Sequence, residues 1–235
     1  MATSKNFGIR KRNAINLIKE TLERVCPRQV SCADILVLAA RDAVSLSGGP
    51  RIGIPLGRRD SSTPPNVRLA HSSLPPNNIG VEATLDLFAK KGMTIEETIA
   101  ILGAHTLGVT HCFNIRSRLR NPDNVMHAGF INLLKLRCPA DQSASASTIK
   151  FVPNDLTPVL FDNKYFVSTM RGGGVLKIDA TMPLDSRTRP YVEKFASDQN
   201  AFFRAFSSAF LKLSSSNVLI GTQGMIRRTC NRLDD

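Results

Sequence analysis

This 235-residue chain has no long apolar run and no tryptophan, and it has fewer acidic than basic residues. No stretch of eighteen apolar residues occurs, so the sequence predicts no membrane span. The opening MATSKNFGIRKRN is basic but has no apolar stretch after it, so it lacks the pattern of a secretory signal peptide. With no tryptophan and only two tyrosines, few rings besides those of phenylalanine could stack on nucleic-acid bases.

Acidic residues are too few to balance the basic ones, since 31 lysines and arginines face 19 aspartates and glutamates, a net charge of +12. Such an excess favours binding to polyanions, but the basic clusters at 10–12, 58–59, 90–91 and 227–228 lie far apart in the sequence. We therefore expect no specific nucleic-acid partner. Binding to acidic polysaccharides or membrane surfaces explains the charge equally well, and a merely solvated surface explains it more simply.

Metal-binding cysteine pairs are also absent, because none of the five cysteines belongs to a CxxC motif. Disulfide bonds in an oxidising compartment are the better interpretation of these residues. Because five is an odd number, one cysteine is expected to lack a partner within the chain.

What the sequence does contain is a succession of amphipathic helices. Apolar residues at helical spacing predict a helix over 13–25, and the segment 31–47 is apolar enough for a buried central helix. Residues 51–80 are rich in proline, glycine, serine and asparagine, which predicts an irregular loop. No repeat or linker divides the chain, so we expect a single, mainly α-helical domain over residues 1–235.

Three more patterns complete this prediction. TIEE at 94–97 has the spacing of a capping box, which starts a helix that ends near His105. Further helices are predicted from Cys112 onward. In the last of them Phe202, Phe206, Phe210 and Leu213 share one face, and phenylalanines at that spacing are expected to be core residues.

The stretch ILGAHTLGVTHC, residues 101–112, places His105 among small and apolar residues. A lone histidine on an apolar helix is more often a core residue than a metal ligand. Asp179 in GGGVLKID would, by itself, be interpreted as a surface loop carboxylate. Neither residue identifies a function without its wider context.

That context is a set of motifs in a fixed order. They are VSCADILVLAARDAV, GGP, PLGRRDS, LGAHTLGVTHC, TPVLFDNKYF, the glycine-rich turn before VLKID, and GTQGMIRRTCN. In this order they resemble the class III haem peroxidases, the secreted peroxidases of plants, over about Asn6 to Asn231. The resemblance implies a mainly α haem-peroxidase fold.

The same resemblance assigns the cofactor haem b and its ligand. The histidine of GAHT is the proximal axial ligand in this family, which implies that His105 binds the haem iron. The family's buried aspartate, which accepts a hydrogen bond from that histidine, corresponds to Asp179. A carboxylate in this position would give the imidazole imidazolate character.

A single proximal Ca²⁺ site is also implied. The residues that match its ligands in the family are Thr106, Thr157, the carbonyl of Leu160, and Asp162. Asn154 stands where the family has its first aspartate, and Asp155 lies one position later. A neutral amide would weaken the site unless a small backbone shift brings Asp155 into it.

Disulfide pairing follows from the resemblance as well. It implies the bonds Cys32–Cys230 and Cys112–Cys138, and it leaves Cys26 without a partner in this chain. Pro75 matches a proline that lines the entrance for reducing substrates in this family, although an ordinary loop proline is an equally simple interpretation.

The catalytic distal pair of this family, a histidine and an arginine in an RxxFHDC helix, has no counterpart in these 235 residues. The sequence therefore predicts no catalytic residue in this chain, with Asp179 only supporting the axial ligand, and it makes the activity of this chain doubtful. One hypothesis is an N-terminally truncated peroxidase, secreted and monomeric, that uses hydrogen peroxide and phenolic donors. The alternative is a non-catalytic remnant that binds cell-wall polyanions.

Overall fold

The computed structural model describes residues 13–64, 66–121, 127–139 and 150–233. The basic cluster at 10–12, and with it the first part of the expected domain, lies outside the described residues.

The described part of the chain is mainly helical, which confirms the predicted fold class. In chain order its α-helices are α1 (Asn13–Val25), α2 (Cys32–Leu46), α3 (Val67–Ser73), α4 (Val81–Ala89), α5 (Ile95–Leu102), α6 (Cys112–Arg120), α7 (Ala128–Arg137), α8 (Lys164–Met170), α9 (Lys177–Thr181), α10 (Arg189–Ser197) and α11 (Gln199–Ser214). A 3₁₀ turn, Gly103–Thr106, follows α5. Strands β1 (Val109–His111) and β2 (Phe151–Pro153) pair antiparallel. Among the described helices, none has the length and apolar character needed to cross a bilayer.

The chain divides into two compact units. The first contains the described residues within 1–44, 51–74 and 214–235, and the second contains the described residues within 45–50 and 75–213. That all 235 residues form one domain stays a prediction.

In the first unit, Asp60 connects three segments of the chain. Its carboxylate accepts hydrogen bonds from the backbone N–H groups of Cys32 (3.0 Å) and Ala33 (2.9 Å) at the start of α2. The same carboxylate accepts the N–H of Arg227 at 3.1 Å. A disulfide between Cys32 and Cys230 joins the same two segments covalently. A carboxylate at this helix start satisfies otherwise unpaired N–H groups and complements the helix dipole.

The helix α2 differs from the buried central helix that the sequence predicts. Leu36 and Leu46 are exposed in the described structure, whereas the polar Asp34 is buried. Asp34 tolerates burial because its carboxylate accepts bonds from the N–H of Gly57 (2.8 Å) and from the Arg58 guanidinium (3.1 Å). Apolar composition shows how apolar a helix is, not which of its faces is covered.

Phenylalanine rings form the centre of the second unit. The rings are fully buried and their neighbouring centroids lie 4.7–6.0 Å apart. They belong to Phe161, Phe166, Phe195, Phe202 and Phe206. The expected core face of α11 is confirmed for Phe202 and Phe206, whereas Phe210 and Leu213 farther along that face are only partly buried. A second apolar cluster includes Ile115, Leu119, Leu134 and Val152 around the disulfide-bonded Cys112 and Cys138.

The sequence did not predict α3, which lies within the expected loop of residues 51–80. Asn66 starts this helix, since its side-chain oxygen accepts the N–H of Leu69 at 3.0 Å. Seven residues are too few to show a clear helical period, which is judged over about 11–18 residues.

Glu97 connects the start of α5 with α11. The predicted capping box is present, because Glu97 accepts the N–H of Thr94 at 2.8 Å and donates its own N–H to the Thr94 hydroxyl at 3.1 Å. Lys212 adds an ion pair of 2.7 Å. Burial works to raise the pKa of Glu97. The hydrogen bonds from Lys212 and Thr94, together with the positive charge of Lys212, outweigh this effect, so the pKa is lowered.

Replacing Glu97 by glutamine should lower the free energy of unfolding at neutral pH by about 1–2 kcal/mol, because a charged, partly buried hydrogen bond is lost. A carboxyl group with a lowered folded pKa stabilises the protein above its unfolded value and loses this effect as the pH falls. The difference between wild type and Glu97→Gln should therefore disappear as the pH drops below 4.5, the ordinary value for this group. Chemical denaturation at several pH values measures it.

The matched control is Glu96→Gln, one residue earlier on the same helix. Glu96 forms an exposed ion pair with Lys194, which should contribute less than about 0.5 kcal/mol. Equal losses in the two variants would contradict the role given to Glu97.

Candidate functional site

His105 lies in the 3₁₀ turn after α5, and not on the α-helix itself as the sequence suggested. The turn rests on the phenylalanine core, because Gly103 comes so close to it that an added Cβ would overlap the rings of Phe202 and Phe166. Gly108, at φ +86°, then redirects the chain into β1. The position of the imidazole is therefore set by a glycine on each side of it.

The Nδ1 atom of His105 lies 3.0 Å from Oδ1 of Asp179. Asp179 is 1 % exposed, while the His105 side chain is 32 % exposed. An ionised carboxylate can only accept hydrogen bonds. The Nδ1 atom of His105 therefore carries a proton and donates a hydrogen bond to Asp179. The imidazole consequently presents Nε2, its basic nitrogen, on the side away from Asp179.

Asp179 is held in place by two further hydrogen bonds. The backbone N–H of Leu176 donates to Oδ2 at 2.9 Å, and the hydroxyl of Tyr165 donates to Oδ1 at 2.7 Å. Three donors thus compensate a carboxylate that is otherwise shielded from water.

The loop before Asp179 is fixed by Arg118 and Gly174. The Arg118 guanidinium donates to the carbonyls of Gly174 (2.8 Å), Val175 (2.6 Å) and Leu176 (3.0 Å). An added Cβ at Gly174 would overlap the backbone of Asp179 and Ala180. Only glycine allows this close approach, so residue 174 determines where the aspartate sits.

The pKa of His105 is raised in this setting. Burial works to lower the pKa, but the negative charge of Asp179 and its hydrogen bond to Nδ1 outweigh that effect. Burial, together with the charge of Asp179, also raises the pKa of Tyr165 well above its ordinary value. The phenol therefore stays protonated and remains a donor to Asp179.

Directly after His105, Thr106 belongs to a cluster of oxygen atoms. Its Oγ1 lies 2.6 Å from Oδ2 of Asp155, 3.3 Å from Oδ1 of Asp162 and 3.5 Å from the Leu160 carbonyl. The hydroxyl of Thr157 lies between the two carboxylates, 3.3 Å from Asp155 and 3.1 Å from Asp162. The structure thus brings together all five residues predicted for a calcium site.

The one-residue displacement of the acid does not keep Asp155 out of this cluster. The side chain of Asn154 instead accepts a hydrogen bond of 2.6 Å from the hydroxyl of Thr110, which lies on β1. Asp155 also accepts the backbone N–H of Thr157 at 2.8 Å. The alternative in which Asp155 enters the cluster is therefore the one that this structure shows.

The oxygen atoms in this cluster outnumber the hydroxyl protons that could bond to them. Each threonine hydroxyl has one proton and can donate to only one of the oxygens around it. Burial and the nearby charge of Asp162 raise the pKa of Asp155 despite its hydrogen bonds from Thr106 and Thr157. Within the described residues no group of three or more His, Cys, Asp or Glu side chains could hold a metal ion. A cation here would rely on neutral oxygens as well as two carboxylates, a set that suits calcium.

The other predicted positions are less closely connected with His105. Pro75 is half-buried in the segment between α3 and α4. The four paired cysteines form the two expected bonds, Cys32–Cys230 and Cys112–Cys138, and Cys26 is free.

Sequence reasoning missed Tyr165 as part of the site. It is one of only two tyrosines in the chain and is the second residue after the FDN motif, which was the available signal.

The chain resembles known proteins over nearly its whole length. A model of the family described as Peroxidase matches residues 1–198. The chain is 52 % identical to Peroxidase 29 of Arabidopsis thaliana, over 99 % of this chain and 70 % of that protein. It is 40 % identical to Peroxidase 12 of the same plant, over 92 % of this chain and 60 % of the relative. It is 39 % identical to Cationic peroxidase SPC4 of Sorghum bicolor, over 93 % of this chain and 60 % of that protein. The chain thus spans about 60–70 % of the length of these relatives.

Replacing Gly174 by alanine should destabilise the protein by about 1–3 kcal/mol, because the new methyl group would push against the backbone that carries Asp179. Chemical denaturation measures this loss. Gly53→Ala is the control, since no atom lies within 4 Å of a Cβ placed there. A Gly174→Ala variant as stable as Gly53→Ala would show that α9 can move away without cost.

Proposed function

The chain belongs to the peroxidase family of plants, and from this premise we propose that it supplies the haem-ligating part of an enzyme that oxidises phenolic donors with hydrogen peroxide. The observation that carries the proposal is the hydrogen bond from Nδ1 of His105 to Asp179. It leaves Nε2 as the ring nitrogen that can bind a metal ion.

Haem, when bound, would supply a redox-active iron that accepts the oxidising equivalents of peroxide. The work of this chain is to hold the imidazole at a fixed orientation and to keep its Nδ1 proton on the side of Asp179. A histidine that donates to a carboxylate is a stronger electron donor to a bound metal ion than a histidine that donates to water. The buried carboxylate thus favours the more oxidised states of the metal centre.

His105→Ala should remove axial ligation. Haemin added to the wild-type chain should give a Soret band typical of histidine ligation, and the variant should bind haemin at least about tenfold more weakly, or roughly 1.4 kcal/mol. Added imidazole should restore the wild-type spectrum, because it can occupy the space that the side chain left. Spectrophotometric titration measures both effects.

His71→Ala is the matched control, because His71 is exposed on α3 and belongs to the first unit. It should bind haemin as the wild type does. If His105→Ala gives an unchanged spectrum and affinity, the assignment of the ligand is wrong. A wild-type chain that does not bind haemin would instead favour the non-catalytic alternative, a basic protein that binds polyanions.

We also propose that the oxygen cluster around Thr106 binds one Ca²⁺. Support comes from the donor set, which contains two carboxylates, two hydroxyls and a carbonyl, and from the raised pKa of Asp155 beside Asp162. A bound cation would remove the repulsion between the carboxylates and fix Thr106, which is bonded directly to His105 in the chain.

Calcium should raise the stability of the wild-type chain, by about 2.7 kcal/mol at a concentration of 100 times its Kd. The Asp155→Asn variant should lose most of this gain, because the cluster then has a single negative charge. Thermal unfolding with calcium and with a chelator measures the difference. Asp86→Asn, which removes an exposed charge on α4, should respond to calcium as the wild type does. An equal calcium response in all three proteins would contradict the site.

Hydrogen peroxide and phenols as substrates, a monomeric state and secretion belong to the same proposal. The two disulfide bonds support an oxidising compartment. Pro75 is proposed to border the entrance for the phenolic donor. Cell-wall polyanions are further proposed partners, and the net charge of +12 supports them.

A further inference from the structure

The hydroxyl of Tyr165 and the imidazole of His105 share one oxygen atom. Tyr165 donates to Oδ1 of Asp179 at 2.7 Å, and Nδ1 of His105 lies 3.0 Å from the same Oδ1. Tyr165 and Asp179 are each 1 % exposed. Water therefore does not compete for this oxygen, and the two donors divide its negative charge between them.

The tyrosine ring is fixed by its neighbours. It meets the His105 ring edge to face, with centroids 5.7 Å apart, and it meets Phe166 at 5.0 Å. Phe166 in turn packs against Phe195 and Phe202 in the phenylalanine core. The packing consequently fixes the ring and the position of its hydroxyl oxygen, because moving the ring would leave a void in the core.

Tyr165 is not the only group besides His105 that holds Asp179 in place. The second oxygen, Oδ2, accepts the backbone N–H of Leu176 at 2.9 Å, and Asp179 itself lies on the first turn of α9. Because these restraints remain, we expect the carboxylate to keep its orientation when the phenol is removed. What the phenol changes is the amount of negative charge on Oδ1 that is left for His105.

We propose that Tyr165 is a positioning residue that weakens the pull of Asp179 on the Nδ1 proton of His105 and so limits the imidazolate character of that ring. The inference rests on the proposed function for its consequence, since it is through the axial histidine that the effect would reach a bound haem. The hydrogen bonds on which it depends lie entirely within the protein.

The first test uses the haem-free chain. Histidine labelled with ¹⁵N lets the Nδ1–H proton of His105 be observed by NMR, and a His105→Gln sample assigns it among the four histidines of the chain. Tyr165→Phe should shift this proton downfield, because His105 then has Oδ1 to itself and its hydrogen bond shortens. Tyr191→Phe is the matched control, since Tyr191 is the only other tyrosine in the chain, and it should give no shift.

A second substitution keeps the hydroxyl and changes the ring by a single fluorine atom, so it should leave the fold in place. In a Tyr191→Phe background, Tyr165 is the single tyrosine, so growth on 3-fluorotyrosine modifies that ring alone. Fluorine makes the phenol a stronger donor, which should shift the His105 proton upfield, opposite to the effect of Tyr165→Phe. This arm gives an answer even if Tyr165→Phe does not fold.

The haem-loaded protein supplies a further readout. The iron–histidine stretching frequency in the resonance Raman spectrum should rise in Tyr165→Phe and fall with fluorotyrosine. In an Asp179→Asn background both changes should vanish, because the shared charge is gone. An Nδ1 proton that does not move, or that moves upfield in Tyr165→Phe, would overturn the inference. Failure to bind haem would overturn only the proposed function, since the haem-free proton shift decides the role of Tyr165 by itself.

Discussion

The negative charge of Asp179, enclosed within the second unit, is the constraint on which the candidate site depends. A carboxylate that is 1 % exposed loses most of its hydration and must recover it from the protein. The three donors that do so come from three separate elements: the 3₁₀ turn, helix α8 and the start of α9. Fixing this charge therefore fixes the orientation of the His105 ring and the entry of the chain into α9. Arg118 and Gly174 extend the constraint to the preceding loop.

The same kind of constraint acts one residue along the chain. The hydroxyl of Thr106 lies among the carboxylates of Asp155 and Asp162, whereas the His105 ring bonds to Asp179. Consecutive residues are thus held by acidic groups from different segments, which leaves the backbone of the turn little freedom. The two sites differ in one respect. The carboxylate of Asp179 accepts hydrogen bonds from three protein donors. The oxygens around Thr106, by contrast, outnumber the hydroxyl protons that could bond to them. This imbalance is why the oxygens around Thr106 suit a cation, whereas the oxygens of Asp179 are already satisfied by protein donors.

Much of this arrangement could be predicted from the sequence where the pattern was local. The capping box at 94–97 and the buried face of α11 follow from the spacing of a few residues, and the structure shows both. The pairing of His105 with Asp179 joins residues 74 positions apart, and it could be proposed only through the resemblance to a family. Tyr165 was missed because no local pattern shows which carboxylate a buried phenol meets. Asp155 was uncertain for a related reason, since a change of one residue in spacing does not show how the backbone adapts.

The phenylalanine core explains why such a site can be adjusted without being lost. Gly103 places the His105 turn directly against Phe166 and Phe202, and Tyr165 occupies the next position to Phe166 on α8. The positions of the imidazole and the phenol are therefore set by close packing, which tolerates little movement. The strength of each hydrogen bond to Asp179, by contrast, depends on which donors are present. Packing determines the geometry and the donor set determines the charge on the imidazole, so one can change while the other is kept.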